Sequence, residues 1–320
     1  IEKPLSLDKV GLVIEHVLKF RAEKDEKQAL LNKLRQSIAL VGESKSLQKV
    51  REQITTMAKN SNPVLVCGEV GSGRQLVSQN IHFMSSRASR TLAEINCSTL
   101  PQDLIEIELF GIEKGSLPGI DKTRKGKLEL IDGGTLVIEE IEEMPLILQE
   151  KLGQFLKTQN IKRVGSSEEI KTNARVILTS VFTPEALVTY PKISKELLEL
   201  TKSQLIFIEP LRARAEDILP LIIHFSDIAA KQMASFRKTI SEQGIKLLMK
   251  HSWPGNIREL KNFIERVYIL TPSDYVDVHD LKFAGLVDKK ETSTGSTDSH
   301  LEMSTFREAR HFKMRICRTC

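Results

Sequence analysis

The octapeptide GEVGSGRQ, at residues 68–75, has the residue types and spacing of a phosphate-binding loop. Its glycines let backbone N–H groups face a phosphate, and the helix expected from about Gln75 adds the favourable dipole of its N-terminus. Arg74 stands where such loops normally carry lysine. The residues expected to surround the phosphates are Gly68, Glu69, Val70, Gly71, Ser72, Gly73, Arg74 and Gln75.

A second stretch, GGTLVIEE at residues 133–140, indicates a buried strand that ends in two carboxylates. In phosphate-loop enzymes one carboxylate at this place holds the magnesium shell, and the next polarises the attacking water. Glu139 would take the first role, through a water, and Glu140 the second, as general base. A turn followed by an acidic surface would give a similar pattern, since Glu142 and Glu143 follow. The two motifs together, in this order, predict a nucleotide site.

The elements that must position these motifs alternate between strand and helix from about residue 39 to residue 211. The segments that indicate strands are Pro63–Gly68, Thr135–Glu140, Ala174–Ser180 and Gln204–Glu209, and the clearest helices between them are Gln75–His82 and Ile147–Lys157. This alternation predicts a parallel sheet with helices on both faces. After about residue 215 the strand signals stop, which predicts a smaller helical subdomain.

Composition is that of an ordinary globular protein, with 40% hydrophobic and 28% charged residues among 320. No apolar stretch is long enough for a membrane span, and the first residues do not resemble a signal peptide. The net charge of +5 is compatible with a nucleic-acid partner but does not require one. Widely spaced cysteines argue for a reducing cytoplasm. The single pair Cys317 and Cys320 is a weak sign of metal or redox chemistry.

Near the start of the chain, apolar residues from Val10 to Ile38 advance by alternating steps of three and four, interrupted by Lys24 and Lys27. Two interpretations remain open. The segment is either an amphipathic helix that packs on its own domain or a linker helix that dimerises. The polar stretch before residue 300 has no periodicity and predicts a flexible linker.

Several further motifs occur in the order typical of one family. They are INCSTL at 95–100, ELFGIEKG at 108–115, GGTLVIEEI at 133–141, LRARAEDI at 211–218 and WPGNIREL at 253–260. Through them the sequence resembles the bacterial sigma-54-dependent transcription activators, which are enhancer-binding AAA+ ATPases. The resemblance covers roughly residues 38–270. The first eighteen residues resemble the end of a response-regulator receiver domain, and STFREARHFKMR resembles the start of the family's DNA-binding segment.

The resemblance implies an α/β fold, with an AAA+ parallel-sheet nucleotide domain and a C-terminal helical lid. The implied segments are a receiver remnant at 1–20, a linker helix at 21–37, the nucleotide-binding subdomain at 38–212, the lid at 213–285, a flexible linker at 286–300 and the start of a truncated DNA-binding region at 301–320. Because the chain starts at Ile1 and both flanking domains are cut short, we expect a fragment or a processed product.

The function that the resemblance implies is ATP-driven transcription activation in the cytoplasm, without a membrane. ATP and Mg²⁺ would bind between neighbours in a homo-oligomer, either a dimer or a ring, and Arg258 of the lid would reach the nucleotide. Hydrolysis would move a loop that remodels sigma-54 RNA polymerase, and DNA would bind the C-terminal region. That loop corresponds to Gly115, Ser116, Leu117, Pro118, Gly119 and Ile120.

At the nucleotide itself the sequence departs from the family pattern at five positions. Arg74 replaces lysine, and its planar fork does not reproduce the point contact of an ammonium. Gln75 replaces glutamate, and Glu139 replaces an aspartate that is one methylene shorter. The strand-end sensor, normally Thr-Asn, aligns with Ser180 and Val181, and valine cannot orient a water. We therefore expect weakened binding of ATP and Mg²⁺.

Two more departures affect the neighbour and the output. The arginines normally given to the next subunit align with Ser194 and Leu200, and such arginines contribute about three to five orders of magnitude in rate. In the polymerase loop Leu117 replaces phenylalanine and Pro118 replaces threonine, so a donor is lost and φ is fixed. Arg212 and Arg214 lie nearby in the sequence but match a different motif.

Three hypotheses follow. The chain is a degenerate activator core that binds nucleotide but hydrolyses it poorly and contacts polymerase poorly. Alternatively, it is an active ATPase whose missing arginines come from a partner paralogue in a mixed ring. A third possibility is a non-enzymatic regulatory or assembly module.

Overall fold

The computed structural model describes residues 14–21 and 38–286. Residues 14–21 form a helix, α1, whose side chains are exposed. Val17 and Phe20, two positions of the predicted seam, are exposed there, so this part of the seam is not packed on the rest of the described chain. The rest of the seam before Ile38, almost all of the predicted linker at 286–300, the segment 301–320 and the Cys317–Cys320 pair lie outside the described residues.

The centre of the first subdomain is a five-stranded parallel sheet. Its strands are β1 (Val64–Cys67), β2 (Leu92–Asn96), β5 (Thr135–Glu139), β8 (Arg175–Ser180) and β9 (Leu205–Phe207), in the spatial order β2-β5-β8-β1-β9. Two antiparallel pairs lie outside this sheet: β3 (Gly111–Ile112) with β4 (Arg124–Lys125), and β6 (Asn160–Ile161) with β7 (Ile170–Lys171). Residues of β1, β5 and β8 are nearly all buried, which explains their continuous apolar sequences.

The four predicted strands are present with slightly shorter bounds, and the sequence reading missed a fifth, β2. This edge strand is only partly buried and contains Glu94, so it lacks the apolar run of a central parallel strand. Its register places Asn96 beside Glu139. The missed strand therefore contributes directly to the predicted nucleotide site.

Helices cover both faces of the sheet. They are α2 (Lys45–Ala58), α3 (Arg74–Phe83), α4 (Gln102–Phe110), α5 (Lys127–Leu130), α6 (Leu146–Thr158), α7 (Pro184–Thr189) and α8 (Lys195–Thr201). One core cluster includes Ile54 of α2 and Ile81 of α3, and the other includes Leu109 of α4 and Leu152 of α6. The two predicted helices correspond to α3 and α6, each extended by one residue at both ends.

The lid contains α9 (Ile218–Gln232), α10 (Glu242–Lys250), α11 (Asn256–Leu270) and α12 (Val278–Phe283), with its own core around Trp253. The expectation that strands end after about residue 215 is wrong in one detail. A two-stranded parallel pair joins β10 (Thr239–Ile240) to β11 (Tyr275–Val276). Two-residue strands are too short to produce an alternating pattern, so the sequence did not show them.

The predicted fold class, a parallel-sheet α/β domain with a helical lid, is confirmed. Within the described part of the chain, no helix combines the length and apolar composition needed to cross a bilayer.

Candidate functional site

The predicted phosphate loop connects the end of β1 to the start of α3, as the motif requires. Gly71 has a φ of 76°, and a Cβ there would lie 2.2 Å from the carbonyl oxygen of Gly255 in the lid. Only glycine tolerates both the left-handed backbone and this close approach. The loop and the lid are thus in direct backbone contact.

Lid groups hold successive carbonyls of the phosphate loop. Asn256 Nδ2 donates to the carbonyl of Val70 at 3.0 Å, and the backbone N–H of Ile257 donates to that of Gly71 at 3.0 Å. The next carbonyl, of Ser72, accepts from Arg214 Nη2 at 2.9 Å.

A peptide unit directs its C=O and its N–H to opposite sides. With those carbonyls turned to the lid, the N–H groups of Gly71 and Gly73 are directed away from it, and both glycines line a cavity of ≈ 450 Å³. The lid therefore holds the loop in a conformation that can receive an anion.

Asn256 is a functional candidate that the sequence reading did not single out. It is fully buried at the start of α11 with a φ of 53°, a conformation that asparagine tolerates better than most residues. Its Oδ1 accepts from the N–H of Leu211 at 2.7 Å, and its Nδ2 also donates to Glu69 Oε2 at 3.1 Å. The asparagine of the WPGN motif was the available signal, because a positive-φ position before a helix favours this residue.

Arg212 and Arg214 both bind the loop of their own chain. Arg212 makes a two-pronged contact with Glu69, at 2.8 and 2.5 Å, and this hydrogen bonding lowers the pKa of the Glu69 carboxyl. Arg214 is buried, which lowers its pKa, and its Nη1 lies 3.6 Å from Asp217 Oδ2. In the described structure both arginines therefore support the phosphate loop of their own chain.

Glu139, the predicted magnesium residue, and Glu140, the predicted general base, lie at the carboxyl end of β5 and line the cavity. Glu139 Oε2 accepts from Asn96 Nδ2 at 3.2 Å. Burial, and then the nearby charge of Glu94, raise the pKa of Glu139. Glu140 has a φ of 56°, in the left-handed region, and its N–H lies 3.4 Å from Thr179 Oγ1. This backbone outlier is of the kind that clusters at functional sites.

Arg74 faces Glu140, with Nη2 3.6 Å from Oε1. The arginine and glutamate side chains are 12% and 22% exposed, so the ion pair is weakly screened. Gln75 Nε2 donates to Glu94 Oε2 at 2.8 Å. The two substituted residues of the loop therefore both contact glutamate side chains, Arg74 that of Glu140 directly after β5 and Gln75 that of Glu94 in β2.

The positions aligned with the family's sensor and arginine donors have local structural partners. Ser180 Oγ accepts from the N–H of Phe182 at 3.2 Å, and the N–H of Val181 donates to Glu142 Oε1 at 2.9 Å. Ser194 is buried and caps α8. These contacts stabilise turns and a helix end. None of them involves a guanidinium group of the kind that the family's arginine donors present to the next subunit.

The cavity lining contains both polar and apolar residues. The polar part includes residues of the phosphate loop together with Glu139, Glu140, Arg258 and Lys261. The apolar part consists of Leu40, Val41, Leu47, Ile208, Leu221, Phe225, Ile228 and Ile257. A site of this size, with apolar walls and a few polar groups, suits a nucleotide whose nucleobase packs against apolar side chains.

Buried polar atoms at the loop fit a phosphate ligand. Ser72 Oγ and Arg74 Nη1 are buried without a hydrogen-bond partner among the described residues. A phosphate oxygen is the acceptor that a guanidinium N–H and a hydroxyl both take well. Glu139 and Glu140 also supply the oxygen ligands that Mg²⁺ prefers.

The predicted polymerase loop, Gly115–Ile120, lies between β3 and β4 and does not line the cavity. The N–H of Gly115 donates to the carbonyl of Ile120 at 2.9 Å, which closes the loop at its base. Ser116 Oγ donates to the carbonyl of Val164 at 3.0 Å, and Leu117 is 47% exposed. The loop thus presents an apolar side chain from a base that is tied to the β6–β7 hairpin.

Comparison with protein-family models gives two matches. The sigma-54 interaction domain matches residues 40–204, just over half of the chain, and the AAA+ ATPase lid domain matches residues 212–298. The boundary between the two matches falls at the loop that contains Arg212 and Arg214.

Curated relatives match over most of this chain. It is 36% identical over 240 residues to the DNA-binding transcriptional activator HyfR of Escherichia coli (strain K12), which is 75% of this chain and 36% of HyfR. It is 34% identical over 285 residues to nitrogen fixation protein AnfA of Azotobacter vinelandii, 88% of this chain and 53% of AnfA. For regulatory protein AtoC of Escherichia coli (strain K12) the values are 33% over 282 residues, 87% and 61%. The chain therefore spans about a third to three fifths of these relatives.

Among solved structures, NtrX from Brucella abortus is similar. Its complex with ATP has a TM-score of 0.75 at 31% identity, and its complex with ADP has a TM-score of 0.74 at 31% identity. Both comparisons cover 97% of this chain and 67% of the NtrX chain.

Proposed function

The chain belongs to the sigma-54-dependent transcription activators, an enhancer-binding family of AAA+ ATPases, and we propose that it is the nucleotide-binding core of a transcription regulator with impaired hydrolysis. The observation that carries the proposal is the Arg74–Glu140 ion pair inside a cavity whose phosphate loop is already formed. The groups that bind an anion are retained. Glu140, the candidate general base, is paired with the Arg74 guanidinium.

In the proposed binding mode the phosphates lie on the loop N–H groups, and the nucleobase packs against the apolar side chains of the cavity. Arg258 and Lys261, one helical turn apart on α11, line the same cavity and add positive charge from the lid. NtrX, which has been solved with ATP and with ADP, provides the precedent for nucleotide in this fold. Mg²⁺, held by Glu139 through water, would neutralise phosphate charge when bound.

Impaired hydrolysis follows from the electrostatics at Glu140. A general base must reach the attacking water and accept its proton, whereas the Glu140 carboxylate is held in an ion pair, with Oε1 3.6 Å from Arg74 Nη2. Valine at position 181 and the capping role of Ser194 remove further groups that would support the reaction.

The remaining parts of the proposal concern partners. Family membership supports contact with sigma-54 RNA polymerase, self-assembly into a dimer or ring, DNA binding through the C-terminal region and a cytoplasmic location. We propose that contact with polymerase is weakened, because Pro118 stiffens the loop and Leu117 is smaller than an aromatic side chain.

Phosphate release measured with ATP and Mg²⁺, on the wild-type chain and on Arg74→Lys, tests the proposal. We expect wild-type turnover at least a hundredfold below that of an ordinary family member, with nucleotide still bound. Turnover comparable to that of such a member contradicts the proposal. Full recovery in Arg74→Lys would show that the other substitutions matter little.

The mixed-ring alternative is favoured by Ser194 and Leu200, which leave the aligned positions without guanidinium groups on a core that is otherwise formed. Adding a paralogue with an inactivated phosphate loop distinguishes it. Rescue of turnover that disappears when the paralogue's arginines are removed would support a mixed ring. Lack of any nucleotide binding at millimolar concentration, with the fold intact, would instead favour a non-enzymatic module.

A further inference from the structure

In this cavity the α- and β-phosphates of a nucleotide would meet different protein groups from the γ-phosphate. Loop N–H groups cradle the α- and β-phosphates in this motif, whereas the residue at position 74 reaches towards the β- and γ-phosphates. The lid holds the carbonyls of Val70, Gly71 and Ser72, so the cradle exists without a ligand. Binding a diphosphate requires no rearrangement of these groups.

Carboxylates surround Arg74, the residue that would reach a third phosphate. Glu139 and Glu140 line the same cavity, and Glu94 is close enough to act on Glu139. Arg74, the loop cation, is 3.6 Å from Glu140. Among the described cavity-lining residues, the other cations are Arg214, Arg258 and Lys261, and Arg214 is bound to Ser72 and Asp217.

A third phosphate therefore has an electrostatic cost here that the first two do not have. To bind it, Arg74 must either divide its charge between Glu140 and the phosphate, through the unpartnered Nη1, or turn away from Glu140. In both cases an incompletely compensated carboxylate faces a second anion in a partly buried site. In the resting pair, Arg74 compensates the charge of Glu140 and has less attraction left for the ligand.

We propose that this site selects nucleoside diphosphates over nucleoside triphosphates, and that the Arg74–Glu140 pair sets this selectivity. The inference rests on the proposed nucleotide-binding function and names its preferred ligand. A core with this preference would remain occupied by the diphosphate when both nucleotides are present.

Isothermal titration calorimetry with ADP and ATP tests the inference, first in EDTA and then with Mg²⁺. EDTA prevents hydrolysis, so the first comparison reports affinity alone. For the wild-type chain we expect ADP to bind at least tenfold more tightly than ATP in EDTA, with a smaller preference in the same direction in Mg²⁺. Equal affinities, or tighter ATP, overturn the inference and leave the proposed function standing. Failure of both nucleotides to bind at millimolar concentration overturns the proposed function as well.

Glu140→Gln separates the ion pair from other causes of selectivity. Removing the carboxylate charge frees Arg74 and removes the repulsion, so ATP affinity should rise at least tenfold in EDTA while ADP affinity changes less than threefold. Glu143→Gln, an exposed neighbour outside the cavity, is the matched control and should retain the wild-type ratio. A wild-type ratio in Glu140→Gln, with a native circular dichroism spectrum and melting curve, would contradict the assigned role of the pair.

Discussion

Single side chains determine how the phosphate loop is held and which charges it meets. Asn256 satisfies three groups at once, on Val70, Glu69 and Leu211, from a fully buried position. Arg74 of the loop forms an ion pair with Glu140. One residue therefore holds the loop backbone and another sets the charge that the loop presents, and each can be tested separately.

Asn256→Ala should lower the free energy of unfolding by about 3 kcal/mol, because it leaves buried backbone groups unpaired and places alanine at a positive φ. Nucleotide affinity should fall more than tenfold as the loop loses its support. Urea unfolding and calorimetry measure the two effects. Asn262→Ala, exposed on the same helix, should change stability by less than 0.5 kcal/mol, as is usual for surface substitutions.

A buried histidine makes stability depend on pH. His82 is fully buried with Nδ1 2.9 Å from Thr135 Oγ1, and desolvation lowers its pKa to about 4. The unfolded chain, with an ordinary histidine pKa near 6.5, binds the proton first as pH falls. Stability is therefore complete above about pH 6.5 and is lost as pH falls towards 4.

This contribution should amount to about 2 kcal/mol between pH 7 and pH 5. Urea unfolding at the two pH values measures it, and His82→Asn, which retains a polar group near Thr135, supplies the comparison. A pH dependence of the same size in His82→Asn would mean that other groups cause it.

At the scale of elements, the parallel sheet brings the candidate site residues together, and two hairpins hold the predicted polymerase loop. The edge strand β2 places Asn96 beside Glu139, and β5 and β8 place Glu140 beside Thr179. The β3–β4 and β6–β7 hairpins are joined by a bridge between Ile112 and Val164.

Arg163 adds a side-chain connection from the β6–β7 hairpin to α5 and to the β3–β4 hairpin. It makes a two-pronged contact with Glu129, at 3.1 and 2.9 Å, and a third bond to Glu113 at 3.0 Å. Lysine cannot reproduce this fork. We expect Arg163→Lys to lower stability by about 1–2 kcal/mol and to increase amide hydrogen exchange in residues 113–120.

The matched control is Lys162→Arg, the adjacent residue, whose ion pair with Glu169 is about half exposed. It should leave hydrogen exchange in residues 113–120 unchanged. Unaltered exchange in Arg163→Lys would show that other contacts are sufficient to hold the polymerase loop.

At the scale of the whole molecule, a buried carboxylate joins the lid to the beginning of the nucleotide domain. Asp217 accepts from the N–H groups of Glu43 and Ser44, at 2.7 and 2.8 Å, and from Ser44 Oγ at 2.7 Å. It also faces Arg214, which holds the loop. The segment before α2, the lid and the phosphate loop therefore form one connected network.

Asp217→Asn should destabilise the chain by about 3 kcal/mol, because Arg214 is left buried without its counter-charge. We also expect calorimetric unfolding to broaden or split, as the lid and the sheet domain lose their common connection. Asp227→Asn, on the helix that begins directly after Asp217 but partly exposed, should unfold like the wild type. A single sharp transition at the wild-type temperature in Asp217→Asn would contradict this coupling.

The sequence alone determined the fold class, the phosphate loop and the two carboxylates at the end of β5. These features are encoded in short patterns: glycine spacing, apolar runs and helical periodicity. The tertiary structure decided which charges meet. Arg212 is 143 residues from Glu69, Asn256 is 186 from Val70, and Asp217 is 173 from Ser44. No local pattern specifies such partners, because they are chosen by how the lid packs on the sheet domain. For the same reason only the folded chain shows that Arg74 is paired with Glu140, a carboxylate that would compete with a third phosphate for its charge.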